Sequence, residues 1–117
     1  MAMLYTPHTG VVTMHNGATA TGRGTSIQTL STDGASSYVT IQIEGISGDT
    51  ITFEGTIDNE TWYALRFVPL STGTVATTAT ADGLYQSDRP VLGLYNVSAR
   101  ISTYSAGVII IKGVAVG

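Results

Sequence analysis

The chain has 117 residues, of which 43% are hydrophobic and only 11% charged, with a formal net charge of −3 and no cysteine. That length holds one domain around one core, and burying roughly two-thirds of the unfolded surface lets it fold without staples. Its five basic residues stand singly, which leaves no basic stripe for nucleic acid or an anionic membrane, and the missing cysteines exclude disulfides and thiolate metal sites.

Soluble domains usually carry about 25% charged residues. Here threonine, serine and glycine fill the gap, with 19 threonines and 14 glycines. β-Branched threonine favours strands. The N-terminus shows no charged stretch followed by an apolar one, so no secretory signal is expected. No apolar run approaches the ~20 residues that span a bilayer. Residues 59–61 and 96–98 match the glycosylation sequon, and without a secretion signal they read as chance matches.

Residues 1–9, with Met3, Leu4 and Tyr5 ahead of Pro7, form an extended N-terminal arm with no turn to fold it back. Such an arm either lies on a neighbouring molecule or pairs as an edge strand of its own domain. The remainder, 10–117, forms the single domain. Residues 11–14 read as a short strand and Asn16-Gly17 as a turn. Gly22-Arg23-Gly24 marks a bend between two short strands. Residues 38–44 alternate cleanly, with Val39, Ile41 and Ile43 inward. The loop 45–49 is expected to close a hairpin into residues 50–56, where Ile51 and Phe53, and beyond them Ile57, share a face. After the turn at 58–60, residues 62–68 form the next strand, stopped by Pro69. A threonine-rich edge strand (74–80) and a short strand (84–86) follow. Residues 95–103 alternate again, with Tyr95, Val97, Ala99 and Ile101 on one face. Ser105-Ala106-Gly107 then closes a hairpin into the last strand, 108–116.

No window carries the i, i+3, i+4 apolar pattern with caps, so no helix longer than a turn is expected. About eight to ten short strands at regular spacing specify an all-β fold, an antiparallel β-sandwich of jelly-roll-like or Ig-like type. The last strand is apolar on both faces at residues 108–111. It is either central and covered on both sides, or it offers Val108 and Ile110 to a partner, which is the favoured expectation.

Three segments carry a family resemblance: residues 51–65 (ITFEGTIDNETWYAL), 80–85 (TADGLY) and 99–110 (ARISTYSAGVII), with residues 18–25 (ATATGRGT) in keeping. In this order they resemble small β-sandwich structural proteins of tailed bacteriophages, found as head decoration (cement) proteins and as modules of tails or fibres. The resemblance implies a virion structural protein on the outer surface of the phage head, made in the host cytoplasm. It implies the major capsid protein and further copies of the chain itself, as a trimer, as partners. It brings no catalytic residue, cofactor, metal or small-molecule substrate. The arm and the last strand supply the expected interface residues, Met3, Leu4, Tyr5, Val108 and Ile110.

The residues themselves give chemistry little support. Glu44 and Glu54 could be drawn as a glycosidase carboxylate pair, but solvated strand carboxylates are the better reading. His8 and His15 would need a carboxylate such as Asp33 brought close to hold a metal. No nucleophile-elbow sequence supports a Ser–His–Asp triad, and residues 22–27 lack the third glycine of a dinucleotide loop. The aromatics are the more serious case. Trp62 and Tyr85 could stack on a sugar in a receptor- or carbohydrate-binding module of a tail, fibre or baseplate. The competing reading of Trp62 is core packing at one end of the sandwich.

Overall fold

A computed structural model describes residues 11–29, 38–91 and 96–116. Met3, Leu4 and Tyr5 of the expected arm, and His8, Asp33 and Tyr95, lie outside them. Ten strands are described: β1 (Val12–Ala18), β2 (Ile27–Gln28), β3 (Tyr38–Glu44), β4 (Thr50–Thr56), β5 (Tyr63–Ala64), β6 (Phe67–Pro69), β7 (Thr78–Ala79), β8 (Gly83–Ser87), β9 (Asn96–Thr103) and β10 (Ile109–Val116). Every pairing is antiparallel. Sheet A runs β1-β10-β3-β8-β6; sheet B runs β2-β9-β4-β5, with β7 also on β4.

The chain is therefore a β-sandwich, as its alternation specifies. First strands pair with last ones: β1 with β10, β2 with β9, β3 with β8, and β4 with β5 and β7. This nested pairing is the jelly-roll arrangement, one of the two types the sequence leaves open.

Two expected hairpins are not hairpins. β3 lies in sheet A and β4 in sheet B, so residues 45–49 form an arch between the sheets. Residues 104–108 form a second arch, from β9 to β10. Loop length alone does not separate a hairpin from an arch; the partners that cover the strands decide. Asn16-Gly17 is likewise not a turn. β1 runs through it, and the register against β10 slips between Asn16 and Ala18, where Gly17 takes a φ of 82°. The left-handed glycine serves a bulge in a continuing strand.

The expected strand 62–68 is two strands in different sheets. β5 pairs with β4 of sheet B, and two residues later β6 pairs with β8 of sheet A. This crossing puts Phe67 inside the sandwich, stacked on Phe53 with ring centroids 4.2 Å apart and planes 17° apart. Tyr85 tilts against Phe53 at 5.5 Å. Around these rings lie Val39, Ile41 and Ile43 of β3, Ile51 of β4, Val97, Ala99 and Ile101 of β9, and Ile109 and Ile111 of β10, all buried. Ile57, expected on the Phe53 face, is 74% exposed because β4 ends at Thr56 and the loop swings it out.

β10 is central in sheet A, between β1 and β3. Ile109 and Ile111 face the core. Val108 is exposed and Ile110 half-buried on the opposite side, where no further layer of described residues lies over the sheet.

Phe53 touches both other core rings, so Phe53→Ala removes the centre of the contact between sheets. The expected loss is about 3–5 kcal/mol. Urea unfolding should show it as a lower midpoint with an unchanged slope.

Candidate functional site

Two carboxylates are buried among the described residues, and they are used in opposite ways. Asp49 ends the first arch. Its side chain accepts N–H donors from Ser47 at 2.7 Å, Ser105 at 2.6 Å and Gly107 at 3.1 Å. One carboxylate thus ties both arches together, and Ala106 N–H adds a bond to the Ser47 carbonyl at 3.3 Å. The fit is tight at Gly107, where a Cβ would fall 2.2 Å from the Gly45 carbonyl and 2.5 Å from Asp49 Oδ1. The Ser105 N–H, helped by those of Ser47 and Gly107, holds the Asp49 carboxyl below its ordinary value although burial pushes it up.

Asp58 plays a smaller version of this part. It accepts N–H bonds from Thr61 and Glu60, both at 2.9 Å, and shapes the loop after β4. The Thr61 and Glu60 N–H groups and the Thr56 hydroxyl hold its carboxyl down as well.

Glu54 is held by side chains. Along β4, Ile51, Phe53 and Gly55 face the core, so Glu54 and Thr52 face the outside of sheet B. Across the register, Glu54 lies opposite Ser98 and Thr52 opposite Arg100. Arg100 Nε donates to Glu54 Oε2 at 2.9 Å. Gly22 pairs with Ile101 at the far edge of β9, which lets Arg23 reach back over β9. Its Nε donates to Glu54 Oε1 at 3.0 Å. The Arg23 guanidinium also lies 4.4 Å from the centre of the Trp62 ring, within cation–π range. Only 7% of the Glu54 side chain is exposed, against 37% and 36% for the two arginines.

This cluster corrects three expectations. Glu54 is not a solvated carboxylate. Glu44 is exposed on the outer face of sheet A, so the two glutamates point away from opposite sides of the sandwich. Trp62 is not in the core; it lies half-buried on the outside of sheet B under Arg23. Tyr85 is the buried aromatic, 5% exposed, with its hydroxyl donating to the Ala81 carbonyl at 2.6 Å. Burial pushes its phenol above the ordinary value. A ring in the core cannot stack on a ligand, and Tyr85 leaves the aromatic platform.

Other groups are committed to the fold. His15 is buried and its Nε2 lies 2.9 Å from the Ala99 carbonyl, joining β1 to β9 across the sheets. Among the described residues no group of three His, Cys, Asp or Glu side chains could hold a metal. A groove of about 500 Å³ runs between Leu65, Arg66, Asp88, Arg89 and Val91. Its single carboxylate already pairs with Arg66 at 2.9 Å and Arg89 at 3.9 Å.

A family model described as XepA matches residues 8–115. Among solved structures, the chain is similar to the SPBc2 prophage-derived protein YomS, at 19% identity over 92% of both chains and a TM-score of 0.74. It is also similar to the PBSX exported protein XepA, at 16% identity and a TM-score of 0.78, covering 92% of this chain and 37% of that one. Likeness at such identities shows a shared fold. No curated protein matches the chain.

Asp49 yields a prediction with a definite sign. Its folded-state carboxyl titrates below the ordinary value of 3.8, so its contribution is present above that pH and is lost as pH falls through the folded value. Asp49→Asn should therefore lower the melting temperature at neutral pH. The gap to the parent protein should narrow as the pH drops below 3.8, measured by thermal unfolding across a pH series.

Proposed function

This chain belongs to the XepA family, and from that premise we propose that it is a non-catalytic structural protein of a phage particle, specifically a head decoration protein. In this reading it sits on the outer capsid, touches the major capsid protein and further copies of itself, and bridges neighbouring subunits. The resemblance of its strand segments to phage β-sandwich proteins supports this role, as does the prophage origin of the similar protein YomS.

The observation that carries the proposal is the division of labour among side chains. The buried carboxylates and His15 are spent on holding strands and arches together. The outer face of sheet A, by contrast, is open. It presents Ile110 and Val114 of β10, with Val108 just ahead of the strand, broken by Lys112 and separated from Leu84 of β8 by the polar Thr40, Gln42 and Glu44 of β3. An apolar stripe with polar neighbours suits packing against another protein better than it suits chemistry. A standard interface buries about 1,600 Å² in total, and repetition over a shell makes modest contacts add up.

A receptor- or carbohydrate-binding module of a tail, fibre or baseplate is the second reading. One observation favours it: Trp62 stands on the outside of sheet B, half-exposed under the Arg23 guanidinium. Copy number separates the two. A decoration protein should be present in hundreds of copies on purified particles and remain with heads after tails are removed. A handful of copies, lost with the tails, would overturn it in favour of the second reading. Val108→Asp, at an exposed position that the core does not need, should lower occupancy on heads while leaving the melting temperature unchanged.

A further inference from the structure

The cluster on the outside of sheet B holds more positive charge than its structural role requires. One carboxylate faces two guanidiniums, leaving one positive charge over in a chain whose net charge is −3. Each arginine binds Glu54 through Nε. Among the described residues, no protein acceptor meets the terminal Nη groups of either one. Both side chains remain more than a third exposed.

Glu54 therefore fixes two guanidinium groups side by side and leaves their outer N–H groups free. Planar N–H forks of this kind match carboxylate and phosphate oxygens. Their surroundings are polar and shallow. Thr52 donates to the Ser102 hydroxyl at 2.7 Å, and these two half-buried side chains lie beside Arg100 on β4 and β9, while the fully buried Ser98 donates to the Arg23 carbonyl at 3.3 Å and steadies Arg23 from below. Trp62, half-buried under the Arg23 guanidinium, supplies the apolar edge of the cluster.

We propose that Arg23, Arg100 and Trp62 form a binding site for an acidic saccharide, its carboxylate or phosphate held by the two forks and its ring resting beside the indole. Glu54 is a positioning residue, because it holds both arginines without meeting the ligand. A saccharide fits these walls better than an acidic protein segment. Protein hot spots centre on deep, desolvated apolar pockets, whereas this surface offers two exposed guanidiniums and one half-buried indole, with Thr52 and Ser102 beside them. The site goes beyond the decoration reading and gives the second reading a ligand class.

The 117-residue protein would be tested on immobilised glucuronate oligosaccharides, phosphorylated oligosaccharides and neutral glucose oligomers, with oligoglutamate as a fourth probe. The expected result is binding to one or both acidic saccharides that weakens as salt rises, with little binding to the neutral oligomer or the peptide. The two acidic probes separate a carboxylate ligand from a phosphate one. Arg100→Gln and Trp62→Ala should each weaken binding about ten- to a hundredfold with melting temperatures close to the parent's. Arg100→Lys, which keeps the charge and loses the fork, should recover only part of it. Glu54→Gln keeps the shape, frees both arginines, and should weaken binding although it adds positive charge. Equal binding to oligoglutamate would overturn the saccharide assignment in favour of a protein partner. Binding to no probe, or binding that Arg100→Gln leaves intact, would overturn the site. Copy number on particles is measured separately, so such a failure leaves the decoration reading standing.

Discussion

Asp49 sits where the chain crosses between its sheets twice. The arch from β3 to β4 and the arch from β9 to β10 lie side by side at one end of the sandwich, and this carboxylate accepts backbone donors from both. The consequence reaches far beyond the loops. With the arches locked together, β4 is bound to lie beside β9 in one sheet and β3 beside β10 in the other, which is the pairing observed. These four strands carry the centre of both sheets, and the remaining strands add to their edges. Asp82 braces the first arch from outside, accepting the Gly45 and Ile46 N–H groups at 3.2 and 2.9 Å. The Phe53–Phe67 stack then closes the interior from the other side of β4.

Asp49 and Glu54 show two solutions to one problem. A buried charge is costly unless it is paired or hydrogen-bonded. Asp49 meets this with backbone N–H groups that cannot move without unfolding the arches. Glu54 meets it with two long side chains whose heads remain partly in water. Replacing such an ion cluster with apolar residues often leaves stability unchanged or improves it. Stability alone is thus a weak reason to keep two arginines on one glutamate, whereas the Asp49 arrangement needs no reason beyond the fold.

The sequence was most legible where one face of a strand is wet. In β3, β4 and β9 the period of two assigns Val39, Ile41, Ile43, Ile51, Phe53, Val97, Ala99 and Ile101 to the core, and all are buried. Alternation says which way a side chain points and nothing about which strand lies next door. The two arches were therefore invisible as arches, since five loop residues serve a hairpin equally well. The crossing between β5 and β6 was hidden too, because no glycine or proline separates Tyr63 from Phe67. The Glu54 cluster was illegible for the same reason. Its arginines stand 31 and 46 residues away, and only the register of β4 against β9, with the bridge at Gly22, brings them together. Trp62 was visible as an outlier from the start, but its side of the sheet was not.

The apolar stripe and the charged cluster lie on the outer faces of different sheets, and therefore on opposite sides of the sandwich. That separation matters for a two-layer protein. A face used for attachment is lost to solvent, so a second function on the same face would compete with it. Here attachment through β10 and its neighbours would leave Arg23, Arg100 and Trp62 pointing away from the attached surface. The buried threads between the faces are rigid: His15 bonds across from β1 to β9, and Phe53 is wedged between Phe67 and Tyr85. Under the two proposals, one small domain would hold on with one side and present a fixed set of donors with the other.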